Sequence, residues 1–243
     1  MKKRDISSAG LHLLAMFCML LDHMWATVVP GNAWMTCVGR LAFPIFAFLI
    51  VEGSCRTKNV KKYMLRLLLC ALLSEIPFNL MYGGRLYYPV HQNVLWSFLI
   101  ALVLICWNRE LRNGKLWRRA LRAGASLLLG FLIGTVTMVD YYGYGVLMVL
   151  VFYFFRGNAW WQLLGQLAGL YWINVEMMGG LVYEFEALGR LWVIHQQGLA
   201  LLALIPIWCY RGRKGGQTGA FRIFCYLFYP AHMLLLALIR SGW

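Results

Sequence analysis

A carboxylate and two histidines interrupt the first apolar stretch of this chain. Residues 11–29, LHLLAMFCMLLDHMWATVV, are long enough to cross a bilayer, which takes about 20 mainly apolar residues as a helix. Yet they carry Asp22 and His23 side by side, with His12 near the start. An ionisable side chain inside a membrane costs about 2.5–3.5 kcal/mol even on lenient scales, so it ordinarily faces a protein interior and has a task. A histidine near a carboxylate suits general-base work, because the anion orients the ring and stabilises its protonated form. Adjacent helical residues point about 100° apart, so Glu75 or Asp140 is as eligible as Asp22 to orient His23. His12 and His23 are about three turns apart and project from nearly one face, roughly 16 Å from each other. They describe one wall of an internal slot with a polar group near each end.

The elements that position these residues follow from composition. Of 243 residues, 61% are hydrophobic and only 13% charged. That balance excludes an ordinary soluble domain and indicates a multi-pass membrane protein of the plasma or inner membrane. The net charge of +14 does not indicate nucleic acid, because the basic residues lie between apolar runs and not along one soluble face. Seven scattered cysteines form no CxxC pair and read as small buried hydrophobes, with no metal site. The first span has a basic flank, but no small-residue cleavage pattern follows, so it is expected to be retained. No internal repeat or linker is visible, and one domain over 1–243 is the expectation.

The fold class expected is all-α, a transmembrane helical bundle of about nine spans: 11–29, 34–53, 63–82, 92–108, 121–138, 141–155, 159–175, 192–210 and 222–240. Alternate connections hold 19 of the 23 basic residues. They are Lys2, Lys3 and Arg4; Arg56, Lys58, Lys61, Lys62 and Arg66; Arg109, Arg112, Lys115, Arg118, Arg119 and Arg122; Arg156; and Arg211, Arg213, Lys214 and Arg222. The positive-inside rule then places the N-terminus in the cytoplasm and the C-terminus outside.

That topology gives each polar residue a depth. Asp22 and His23 fall in the outer half of the first helix, Arg40 near the outer side of the second, and Glu75 and Asn79 one turn apart in the outer half of the third. Asn93 opens the fourth span and Asp140 the fifth–sixth turn. Asp22, His23, Arg40, Glu75, Asn79, Asn93 and Asp140 are thus expected to meet in one outward-opening cavity. The plainer reading of Asp22 and Arg40 is an ion pair that holds the first two helices together. Prolines 44, 77, 206 and 230 supply kinks that free backbone groups where a cavity is lined. Lys58, Lys62 and Arg66 recur every fourth residue and make one basic cytoplasmic face. It suits the phosphates of a nucleotide-like donor, or equally topology and anionic lipid. Glycines 143 and 145 suit a turn or a close helix approach better than a phosphate loop.

The motifs LHLLAMFCMLLDHM, GRLAFPIFAFLIVEG, KKYMLRLLLCALLSEIPFNL, HQNVLWSFL, YYGYGVL and YLFYPAHMLLL stand in the order seen in the TraX family, which this chain resembles from about Ser8 to Leu238. The family is named for a conjugation protein that acetylates the N-terminal amine of pilin, and it is similar to the broader membrane-embedded acyltransferases. The resemblance implies a membrane-embedded acetyltransferase that takes acetyl from cytoplasmic acetyl-CoA and delivers it across the membrane. The acceptor would be an extracytoplasmic amine or hydroxyl: a peptide N-terminus, an amino sugar or a glycan. By that likeness Asp22 and His23 match the DH motif, Arg40 the GR motif, Glu75 and Asn79 the SEIPFN motif, and His232 the YPAH motif. His12 stands where relatives often have lysine.

One mechanism joins the residues to the resemblance. The phosphates of acetyl-CoA would sit near Lys58, Lys62, Arg66 or the basic fourth and eighth turns, with His12 and His232 as further cofactor-binding positions. The thioester would reach His23, which acts as base, or as nucleophile in an acetyl-histidine relay. Arg40 or Asn93 would stabilise the oxyanion. The rival classes are a proton-coupled transporter of a small molecule and a structural membrane subunit.

Overall fold

The structure is a computed structural model and describes residues 5–110, 114–187 and 189–242. Lys2, Lys3, Arg4 and Arg112, which help to set the expected topology, lie outside the described residues. The chain is mostly helical and divides into two compact units, the first of residues 1–46 and 155–217, the second of 47–154 and 218–243. Among the described residues, five helical segments are long and apolar enough to cross a membrane: Ser8–Thr27, Ala33–Arg56, Val60–Gly83, Leu116–Val136 and Gly219–Arg240. Three shorter apolar helices span Val94–Arg109, Tyr142–Phe154 and Gln196–Trp208.

In the first unit, α1 (Ser8–Thr27) opens on Ser7, whose hydroxyl accepts from the Gly10 amide at 3.2 Å. That cap satisfies one of the amides a helix start leaves unpaired. Ile6 donates to the Cys209 carbonyl and Ser8 to that of Arg213, so the segment before α1 is tied to residues 209–213. α1 packs on α2 (Ala33–Gly39), burying Leu11, Ala15, Met16, Cys18 and Met19. The approach is close: a Cβ on Gly39 would lie 2.4 Å from Asp22 Cβ. The second expected span is not one smooth helix. It breaks at Arg40–Leu41 before α3 (Ala42–Arg56) resumes, because Pro44 has no N–H to give to the Arg40 carbonyl.

The rest of this unit holds α8 (Trp160–Tyr171), a π-helical turn over Trp172–Met177, a β-hairpin of β1 (Val182–Ala187) and β2 (Arg190–His195), a 3₁₀ helix over Gln196–Ala203 and the short α9 (Leu204–Trp208). The hairpin corrects the expectation of an all-helical chain and of a span beginning at residue 192. Tyr183 pairs with Ile194 and Glu184 with Val193. Branched and aromatic residues alternating with charge favour a pleated strand. Trp192, Val193 and Ile194 therefore stand exposed in β2, and the apolar helix that follows begins four residues later than expected.

The second unit contains the remainder of α3 with α4 (Val60–Gly83), α5 (Val94–Arg109), α6 (Leu116–Val136), α7 (Tyr142–Phe154) and α10 (Gly219–Arg240). α4 packs on α10 and α5, and α5 packs on α6 and α7. Phe78, Met81, Leu102, Ile105, Met148, Phe152 and Met233 fill the interior. Gly143 is needed for close approach: a Cβ there would sit 2.3 Å from the Phe131 carbonyl oxygen, as expected for a glycine at a helix contact. Leu65, Leu69, Leu72 and Ile76 form an exposed apolar stripe on α4, and Leu121, Leu128, Leu132 and Val136 another on α6. Water would not tolerate such stripes, whereas hydrocarbon does.

Candidate functional site

The candidate catalytic residues lie in both units: Asp22, His23 and Arg40 in the first, Glu75, Asn79, Asn93 and Asp140 in the second. In the first, Asp22 Oδ1 accepts from Arg40 Nη2 and from Thr36 Oγ1, the latter at 2.7 Å. The ion pair read from the sequence is therefore present. The guanidinium is held on every side that bears a donor nitrogen. Nε donates to the Thr36 carbonyl at 3.3 Å, and Nη1 to Gln197 Oε1 at 3.2 Å. Gln197 in turn donates to Asn174 Oδ1 at 2.9 Å, and Asn174 to the Leu170 carbonyl at 2.8 Å. Next to this chain of bonds, Gln196 donates to the Tyr183 hydroxyl at 3.1 Å, which also receives the Cys37 thiol at 3.5 Å. The Tyr183 phenol is pushed above its ordinary range, first by the bond shared with Cys37 and then by desolvation, so it stays neutral at physiological pH.

Fixing a planar guanidinium through three nitrogens removes the rotamer freedom that would otherwise oppose binding an anion. His23 is buried with 8% of its surface exposed, and its backbone carbonyl accepts from Thr27 Oγ1 at 2.6 Å. Thr36, Asn174, Gln196 and Gln197 were not singled out from the sequence. Their signal is weak: each is a neutral polar side chain within or beside an apolar run, and only the structure shows all four buried.

In the second unit, Glu75 and Asn79 lie one turn apart on α4, as expected. Glu75 Oε2 accepts from Asn93 Nδ2 and from Trp96 Nε1, the latter at 2.9 Å. Asn93 also caps α5 through the Leu95 amide at 3.1 Å and donates to the Ala71 carbonyl at 3.0 Å. Asn79 Nδ2 donates to the Leu86 carbonyl at 3.0 Å. Glu75 Oε1 and Asn79 Oδ1 are buried and have no hydrogen-bond partner among the described residues. Leaving a buried polar group unmade costs about 1–3 kcal/mol each.

Asp140 bonds His91 Nε2 at 3.2 Å, a residue the sequence reading passed over although it stands two positions before Asn93. The connection that carries Asp140 is strained: Met138, Tyr141 and Tyr142 all have positive φ, at 52°, 61° and 47°. Such angles cost about 1–3 kcal/mol for a residue with a side chain, and they gather where function demands a geometry. The surroundings enforce it. Gln92 donates to the Met138 carbonyl at 2.9 Å, Asp140 to the Gln92 carbonyl at 2.8 Å, and Ser97 Oγ to the Asp140 carbonyl at 2.8 Å.

The expected cofactor positions are dispersed. Lys58 precedes the Asn59 cap of α4, so only Lys62 and Arg66 of the expected basic face share the helix; all three are exposed. His12 Nδ1 donates to its own helix at the Ser8 carbonyl, 2.7 Å away. His232 is buried in α10, bonded at 2.7 Å to the Phe228 carbonyl and stacked on the Phe228 ring. Pro230 lacks an N–H to give to the Tyr226 carbonyl, which takes the Cys70 thiol instead at 3.4 Å.

Long apolar helices with exposed apolar stripes make this a helical membrane protein. Residues 7–240 match the TraX protein family, so the chain belongs to it. It is 27% identical to the probable fimbrial assembly protein FimC, serogroup H1, of Dichelobacter nodosus, over 96% of this chain and 95% of that protein. It is 30% identical to Protein TraX of Escherichia coli K12 over 61% of this chain, a match spanning 54% of that protein. No solved structure matches.

Proposed function

We propose that this chain is a membrane-embedded acetyltransferase that moves acetyl from cytoplasmic acetyl-CoA to an amine or hydroxyl at the outer face of the plasma or inner membrane. The observation that carries the reading is the preorganised Arg40, locked by Asp22, Thr36 and Gln197 in the unit that also buries His23. In the proposed reaction the acceptor heteroatom bonds the acetyl carbon and gives its proton to His23. The C–S bond breaks with its electron pair on the sulfur of CoA, and the fixed positive charge of Arg40 stabilises the developing oxyanion. The fimbrial-assembly name of the Dichelobacter relative supports an appendage subunit as acceptor, through its N-terminal amine.

Acetyl-CoA at 100 times its dissociation constant should add about 2.7 kcal/mol to the stability of the detergent-purified chain. The check is a thermal melt with donor, followed by mass spectrometry of acceptors. A melt unmoved by acetyl-CoA at millimolar concentration would favour a transporter or a structural subunit.

The reading includes a topology of nine crossings, with the N-terminus in the cytoplasm and the C-terminus outside, supported by the alternation of basic loops. Single cysteines at Lys115 and Gly216 should react only from the cytoplasm, and those at Arg85 and Glu186 only from outside. The four are introduced into a variant without the seven native cysteines. The reverse labelling pattern would end the proposed direction of transfer.

A further inference from the structure

We infer that Glu75 and Asn79 hold an alkali-metal cation: Glu75 Oε1 and Asn79 Oδ1 ligate it inside the second unit, where it answers a carboxylate charge that the described residues leave unpaired. The site lies within one unit and does not depend on the acetyltransferase reading.

The charge comes first. Of the nine acidic residues, Asp5, Asp22, Glu52, Glu110 and Asp140 each have an arginine or histidine partner, and Glu176, Glu184 and Glu186 are exposed. Glu75 remains. It lies inside α4, and its hydrogen bonds come from Asn93 and Trp96, both neutral. Among the described residues no basic side chain pairs with it. Neutral donors satisfy lone pairs without cancelling a charge, and a charge within an apolar bundle is ordinarily paired or bound to a metal ion.

The free atoms place the partner. Glu75 Oε1 is buried and has no donor among the described residues. Asn79 stands one turn further along the same face of α4. It is only 4% exposed, spends its amide nitrogen on the Leu86 carbonyl at 3.0 Å and leaves Oδ1 buried and unpaired. Reversing the amide would turn its oxygen on the Leu86 carbonyl, so Asn79 does not donate to Glu75. Two oxygen acceptors on adjacent turns, one of them charged, with no donor between them, are ligands for a hard cation. A water molecule would satisfy both lone pairs and leave the charge standing. A monovalent ion balances the single negative charge, whereas a divalent ion would bury an excess of positive charge.

Access and effect follow from the neighbours. Asn79 is one turn from the end of α4 at Gly83, and Leu86 beyond it is exposed, which gives the ion and its remaining waters a short way in. Glu75 also holds the start of α5 through Asn93 and Trp96, so the ion braces α4, the connection at Leu86 and α5 against one another.

The experiment melts the full chain in nonionic detergent with choline chloride, sodium chloride or potassium chloride at equal ionic strength. Sodium or potassium should raise the melting temperature of the parent in a saturable way relative to choline, whose methyl groups keep its charge away from the oxygens. Glu75→Gln should melt alike in all three salts, and no lower in choline than the parent does. Asn79→Ala keeps the charge but loses a ligand, and should need about tenfold more alkali cation for the same rise. A parent that melts alike in all three salts would overturn the site. So would a Glu75→Gln protein that responds to the alkali salts as the parent does, because the salt would then act elsewhere. Should Glu75→Gln fail to fold, Asn79→Ala decides: an unchanged concentration dependence overturns the site. No readout here involves acetyl transfer, so the transferase reading stands or falls separately.

Discussion

His23→Gln should reduce acetyl transfer by about 10²–10⁴-fold, the usual loss when a general base is removed, with acetyl-CoA binding kept within a few fold. Glutamine keeps polarity and approximate volume at a position only 8% exposed, so packing changes little while the ability to take a proton at neutral pH disappears. On the proposed reading, donor affinity comes chiefly from the phosphates and adenine, which do not need His23. The measurement is acetyl transfer to a panel of amines and sugars, with donor affinity and monodispersity followed for each variant. A well-folded His23→Gln protein that transfers at the parental rate would show that this residue does not carry the chemistry.

Arg40→Ala should damage the fold as well as the reaction. It strands the Asp22 carboxylate inside an apolar helix pair and removes the donors to Thr36 and Gln197. Breaking a buried pair from one side costs about 3–5 kcal/mol. The lower end applies here, because Arg40 and Asp22 are 17% and 16% exposed. The double variant Asp22→Asn with Arg40→Gln should recover most of that stability, since no unpaired charge remains, and still be inactive. Arg40→Lys should fold better than Arg40→Ala yet transfer poorly, as an ammonium cannot reproduce the planar fork that reaches Asp22, Thr36 and Gln197 together. Melting temperature and transfer rate, measured side by side, separate the two effects. A double variant as unstable as Arg40→Ala would show that charge pairing is not what Arg40 supplies.

The long spans were legible because hydrocarbon-facing stripes and buried faces are both apolar, and a hydropathy window sums them without needing to tell them apart. Pro44 marked the break at Arg40, and the Asp22–Arg40 pair was readable as a plain consequence of opposite charges in neighbouring helices. The hairpin was not read, because Leu191, Trp192, Val193 and Ile194 raise the hydropathy of a strand as readily as that of a span. The bond of His91 to Asp140 was hidden by a sequence separation of 49. Nothing local pairs them, and the positive φ values that hold the Asp140 turn fall on methionine and tyrosine, types that do not advertise a left-handed backbone. The Gln197–Asn174 support of Arg40 was hidden for another reason: neutral amides inside apolar runs carry no charge to draw notice.

The close approach of α1 and α2 at Gly39 also bears on how the chain enters its membrane. Asp22 and Arg40 each resist lateral release into lipid by about 2.5–3.5 kcal/mol when threaded singly. Paired, they present a neutral surface. Only five residues separate Thr27 from Ala33, so both segments can occupy the insertion channel together, and the cheapest route into the bilayer is as one preassembled hairpin. On that route the ion pair serves biogenesis before it serves any reaction, and Gly39 is the residue small enough to let the hairpin close.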